Sequence, residues 1–217
     1  MPKITKIAEQ KRTSNRRSIW LDGRFAFAVN VNVVARFRLH VGQELPEGMI
    51  EQIGQGEQRQ KCFDRAIGML TRRAHGRDEL RRKLLRKQEW GEPMVDAVLD
   101  DLLRMNYLND ARTAEASAQS AATRKKHGRN RAMVDLLKRG LDRETARRAV
   151  EIVYESTDRL AMARELAEKH APRLRRLDPI VARRRLFGVL LRRGFEYETV
   201  RPVVDAVLGT DDDAPVD

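Results

Sequence analysis

Cations are the residues of this sequence best able to do chemistry, and the chemistry they offer is capture of a polyanion. The chain of 217 residues holds 44 Lys and Arg against 32 Asp and Glu, a net charge of +12. A surplus of that size points to a nucleic acid, or to an assembly built on one, more strongly than to an acidic membrane surface. The cations fall into three groups. The first is Arg77, Arg81, Arg82, Arg86 and Lys87; the second is Arg124, Lys125, Lys126, Arg129, Arg131, Lys138 and Arg139; the third is Arg183, Arg184, Arg192 and Arg193. Nucleophiles and metal ligands show no such grouping. His40, His75, His127 and His170 stand apart without ligand spacing, and Cys62 has no second cysteine for a metal or a disulfide. With no basic dyad beside it, Cys62 reads as a small core hydrophobe. Asp100-Asp101 and Asp211-Asp212-Asp213 read as a solvated helix face and a solubilising tail. There is no phosphate-cradling glycine loop and no nucleophile elbow, so no enzyme, metal or cofactor is expected.

A repeat must position these groups. In Lys138-Arg139-Gly140-Leu141-Asp142-Arg143-Glu144-Thr145 a basic pair closes one helix, a glycine turns the chain, and an apolar residue and an acid start the next. Arg192-Arg193-Gly194-Phe195-Glu196-Tyr197-Glu198-Thr199 repeats the arrangement, and Arg86 to Pro93 is an imperfect third copy. Gly140 and Gly194 lie 54 residues apart, a period that marks tandem helical units. Leu141, Phe195 and Trp90 are expected to fold back as N-terminal staples. The fold class is therefore mainly α: three tandem three-helix repeats forming an elongated curved solenoid, behind a small N-terminal antiparallel sheet. The expected boundaries are 1–57 for the β-rich module, 58–108, 109–156 and 157–209 for the repeats, and 210–217 for a disordered acidic tail.

In the first module Asp22-Gly23 between two β-prone runs predicts a hairpin, with Ser18, Trp20, Phe25, Phe27 and Val29 supplying the alternation. Residues 30–39 fit a third strand or a short helix, and Met49 to Gly54 a brief helix. Gly54 to Gln60 reads as a hinge into the helical part. Helical periodicity then predicts inward faces. These are Phe63, Ala66, Ile67 and Leu70; Val95, Val98, Leu99, Leu102 and Leu103; Ala111, Ala114, Ala118 and Ala121; Met133, Leu136 and Leu137; and Ala146, Ala149, Val150 and Val153. The last repeat adds Leu160, Ala163, Leu166 and Ala167; Leu186, Phe187, Leu190 and Leu191; and Val200, Val203, Val204, Val207 and Leu208, with Pro202 expected to interrupt and kink the final helix.

Aromatics are only 5% of the chain, and most rings beyond the first module (Phe63, Trp90, Tyr107, Tyr154, Phe187, Phe195, Tyr197) fall at core or staple positions. The basic side therefore suits phosphate or an acidic protein surface better than stacked bases.

Tyr107-Leu108-Asn109-Asp110-Ala111-Arg112 and Arg124-Lys125-Lys126-His127-Gly128 resemble the bacterial RecX family, regulators of the RecA recombinase. So do the turn from Leu136 to Thr145, Glu79 to Leu84, and Leu190 to Phe195. The resemblance implies three-helix repeats lying in the groove of a RecA–DNA filament and inhibiting recombinase, ATPase and coprotease activities. The expected partners are the RecA filament with single-stranded and also double-stranded DNA, approached by a cytoplasmic monomer through the three basic groups. The competing expectation is a direct, sequence-nonspecific DNA-binding protein of helix-turn-helix-like units.

Overall fold

The computed structural model describes residues 1–10, 13–86 and 89–209, which form two compact units: Met1–Arg73 with Arg81–Tyr107, and Ala74–Leu80 with Leu108–Asp217. In the first unit, strands β1 (Ile4–Gln10), β2 (Thr13–Leu21) and β3 (Arg24–Asn30) form an antiparallel sheet in that order. Asp22 and Gly23 both take positive φ, +48° and +81°, as a tight two-residue hairpin requires. The expected alternation fails at one point. Trp20 pairs with Phe25 and Ile19 with Phe27, so Ala26 is an extra residue that places the two phenylalanines on opposite faces. Ile19 is fully buried beside Ile4 and Val29, Phe27 packs against that core, and Phe25 is exposed.

Residues 31–36 are a helix, α1 (Val31–Arg36), capped by the Asn30 side chain, which accepts from the Asn32 amide at 2.9 Å. The hinge expected at 54–60 is absent: α2 (Glu47–Leu70) runs through it as one helix. The small residues serve packing instead. The Phe37 ring lies where a Cβ on Gly56 would come within 2.7 Å, and the neighbouring Glu57 is buried. Glu57 accepts from the Asn30 amide at 2.7 Å and pairs with Arg16 at 2.9 Å, tying α2 to the sheet. The burial of Cys62 holds its thiol pKa up at about 11, so it stays protonated and packs as a hydrophobe. On α4 (Glu92–Arg104), Val95, Val98, Leu99 and Leu102 are buried, but Leu103 is not. Asp101 turns inward in its place to pair with Arg59 of α2.

α3 (Arg77–Leu85) is the second helix of the first repeat. The second repeat is α5 (Asp110–Thr123), α6 (Arg129–Lys138) and α7 (Arg143–Glu155); the third is α8 (Arg159–Leu174), α9 (Pro179–Arg192) and α10 (Tyr197–Leu208). The last two repeats share a single apolar core from Ala114 to Val207. Asn109, Asp142, Asp158 and Asp178 cap α5, α7, α8 and α9 through their side chains. Leu141 and Phe195 are buried as the staple reading requires, and so is Trp90 of the first repeat. Ala111, Leu137, Leu160 and Leu191 face solvent, against expectation. Leu137 and Leu191 occupy the same position in successive repeats, one step beyond buried Leu136 and Leu190, so the inward stripe is narrower than the hydrophobic run. α10 continues through Pro202 without interruption. Residues 210–217, expected to be a tail, lie outside the described residues.

Consecutive repeats meet through paired glycines. Gly194 turns the end of α9 at φ +85° directly onto the backbone of Arg131, while Gly128, at the start of α6, packs on the Gly194 carbonyl. The Gly128 amide donates to the Arg193 carbonyl at 2.7 Å and the Asn130 amide to the Gly194 carbonyl at 3.3 Å. The same device recurs one repeat earlier. Gly140, at φ +71°, lies on the Glu79 backbone, and a Cβ on Gly76 would meet the Arg139 carbonyl at 2.7 Å.

Alanine at Gly194 or Gly140 should destabilise the second unit by about 1–3 kcal/mol from left-handed strain alone, with the backbone clash added. Gly128→Ala tests the clash by itself, because its φ of −69° is ordinary. Thermal melts should rank Gly194→Ala as the worst and leave Gly91→Ala, which has only a Pro93 side chain nearby, close to wild type.

Candidate nucleic-acid interface

The expected site residues sit on or beside α3, α6 and α9, the second helix of each repeat. They divide by what their heads already touch. In the first group, Arg81 is held by Asp96 at 2.7 Å and Glu92 at 2.8 Å, hydrogen bonds that raise its already high pKa. The Arg77 amide donates to the Asp110 carboxylate at 3.0 Å. Arg82 and Arg86 are exposed and have no carboxylate partner among the described residues. Lys87 lies outside the described residues.

In the second group, Lys126 pairs with Glu165 at 2.7 Å and Arg129 with Glu151 at 3.5 Å. A single carboxylate, Asp135, serves Lys125 at 3.6 Å, His127 at 3.0 Å and Arg131 at 3.3 Å. Among the described residues, the Arg124 and Arg139 heads donate to the Ser120 and Ser117 hydroxyls, and Lys138 is exposed without a carboxylate partner. In the third group, Arg183 is engaged by Asp205 and the Gly209 carbonyl. Arg184 and Arg192 have no carboxylate partner among the described residues, and Arg193 donates to the Lys125 carbonyl at 2.9 Å. Within the three groups, the cations without a carboxylate partner among the described residues are Arg82, Arg86, Arg124, Lys138, Arg139, Arg184, Arg192 and Arg193. Of the other described members, Arg81, Lys125, Lys126, Arg129 and Arg131 sit in partly exposed ion pairs, which contribute little stability and screen their own field, and Arg183 is held in a more buried pair with Asp205.

The second and third groups converge where α6, α8 and α9 meet. Arg131, Arg192 and Arg193 line an open cavity of about 460 Å³ together with His127, His170 and Val189. The two histidines looked isolated because they lie in different repeats, and no local spacing links them. Arg192 folds back along α9 over Gly188, where a Cβ would meet its guanidinium at 3.0 Å. Burial holds the His127 pKa below its ordinary 6.5; Asp135 opposes that shift, and the Arg193 and Lys125 charges add to it. Tyr154 fixes the segment from below, its hydroxyl donating to the His127 carbonyl at 2.5 Å. Two rings depart from expectation: Tyr107 and Tyr197 are 60% and 55% exposed, so neither is a core residue.

Sequence comparison places this architecture. The pattern of the regulatory protein RecX N-terminal domain matches residues 2–46; those of the RecX first and third three-helix domains match 62–102 and 157–204. The regulatory protein RecX of Bacillus velezensis is 30% identical over 213 residues, covering 98% of this chain and 80% of its own. The chain belongs to the RecX family. The RecX protein of Clostridioides difficile is 28% identical over 209 residues, covering 96% of this chain and 97% of its own. A crystal structure of a regulatory protein RecX superposes with a TM-score of 0.76 at 25% identity, covering 94% of this chain and all of the other. RecX from Lactobacillus salivarius matches in fold, with a TM-score of 0.60 at 23% identity over 70% of this chain and 97% of its own. The RecX N-terminal domain corresponds here to the sheet with α1, and no described helix is long and apolar enough to cross a membrane.

Because the folded state favours neutral His127, stability should fall as pH drops through the ordinary histidine range near 6.5. Histidine ring NMR should place the His127 midpoint below 6.5, and Asp135→Asn should lower it further by removing the one group that favours the imidazolium. A midpoint unchanged by Asp135→Asn would remove Asp135 from this electrostatic account.

Proposed function

We propose that this protein is a cytoplasmic, non-enzymatic regulator that binds the RecA–DNA filament through its basic groups and inhibits the recombinase, ATPase and coprotease activities. The observation that carries the reading is the set of carboxylate-free cations recurring on or beside the second helix of every repeat. Charges presented at one structural position in tandem units can engage successive phosphates or protomers of a periodic fibre, each weakly and all together with avidity. Membership of a family of regulatory proteins supports the same conclusion.

Direct binding to a bare strand is the competing reading, and the exposed Tyr107 and Tyr197 rings favour it, because bases stack on such rings. Kinetics separates the two. A regulator of the filament suppresses the DNA-dependent ATPase of RecA when far scarcer than the DNA sites, whereas a competitor acts only once it covers the strand. Neutralising Arg82, Arg124, Lys138 and Arg184 together to glutamine should weaken inhibition about tenfold or more and flatten its salt dependence. Neutralising ion-paired Arg81 and Arg129 should do much less. Equal effects from both sets would remove the carboxylate-free cations from the mechanism.

A further inference from the structure

The cavity lined by Arg131, Arg192, Arg193, His127 and His170 has a composition that general attraction along a fibre does not require. Three arginines and two histidines line one concavity. The only carboxylate bonded to any of them among the described residues is Asp135, already shared with Lys125. Arg193 is positioned by its bond to the Lys125 carbonyl at 2.9 Å, and the Arg192 head lies along α9 over Gly188. The backbone beneath is equally set, with the Gly128 amide on the Arg193 carbonyl at 2.7 Å. Positive charge held in a recess is focused by its low-dielectric walls. Arginine forks match the oxygens of a phosphate, donating to them in a paired geometry that a lysine lacks.

We propose that this recess is a phosphate-binding pocket that takes a backbone phosphate of a nucleic acid strand, with Arg192 and Arg193 as the principal ligands, Arg131 as an auxiliary one, and His127 and His170 as flanking donors. The volume exceeds that of a lone phosphate and leaves room for the adjoining sugar. The source of the phosphate rests on the nucleoprotein reading above; the phosphate chemistry does not. His127 can supply a donor to the phosphate when it takes up a proton, while its other ring nitrogen keeps the bond to Asp135.

The test uses the full chain and inorganic phosphate, with chloride at matched ionic strength as reference. Ring resonances of His127 and His170 should shift saturably with phosphate, with the His127 midpoint rising, while His40, which belongs to the other compact unit and does not line the recess, stays still. Arg192→Gln with His170→Gln should abolish saturation. His170→Gln alone, which leaves α9 untouched, should weaken it without any fold change in circular dichroism. A single-stranded oligonucleotide should displace the phosphate, and the double variant should bind that oligonucleotide about tenfold more weakly, with a salt slope lower by about one. The control Arg201→Gln with Gln119→Ala removes the same single charge from the same unit and should lower affinity far less. Unsaturable shifts, or shifts that survive in the double variant, would overturn the pocket. An oligonucleotide that binds without displacing phosphate would overturn its nucleic-acid source. The filament reading fails separately: saturable phosphate binding without suppression of the RecA ATPase leaves the pocket standing and removes the regulator.

Discussion

Where α9 ends, the chain must reverse within one residue and at the same time lie against the start of α6, and both demands fall on Gly194. A side chain there would strain the left-handed turn and strike the Arg131 backbone; one on Gly128 would strike the Gly194 carbonyl. The close approach lets the Arg193 and Gly194 carbonyls, which the helix end leaves unpaired, accept from the Gly128 and Asn130 amides, which the helix start leaves unpaired. One helix terminus thus satisfies another. Gly140 and Gly76 meet in a similar way within the same unit, so between the second and third repeats the register is set by backbone contact as well as by side-chain fit.

The placement of charge follows from that contact. Lys138-Arg139 and Arg192-Arg193 precede the turn glycines Gly140 and Gly194, and the Gly194 turn docks on the start of α6 in the preceding repeat. At the second junction this brings Arg192 and Arg193 beside Arg131 and His127. Mutual repulsion there is tempered by Asp135 and by burial that keeps His127 neutral. Clustered cations of this kind oppose one another in the folded chain, and an anion bound in the proposed pocket would relieve that repulsion.

Much of this was legible in the sequence. Asp22-Gly23 fixed the hairpin through its demand for positive φ, and the helical stripes with their capping Asn and Asp fixed the repeats. The failures share a cause, since each depends on a partner distant in sequence. Gly54 to Gln60 has the composition of a linker, yet Gly56 is small because Phe37 lies on it and Glu57 is buried because Asn30 and Arg16 meet it. Ala26 gives no local sign of a bulge. Arg81, Arg129 and Arg131 look like free surface charge until Asp96, Glu151 and Asp135 are placed opposite them. His127 and His170 share a recess only because Gly194 allows two repeats to touch.

The dependence on interlocking helix ends is tested most directly by native-state hydrogen exchange. If the account holds, the Gly128 and Asn130 amides exchange only with cooperative opening of the whole second unit, at the same free energy as core amides of Leu136 and Leu190. Rapid exchange at Gly128 and Asn130 while those core amides remain protected would contradict it, as would separate opening of the third repeat.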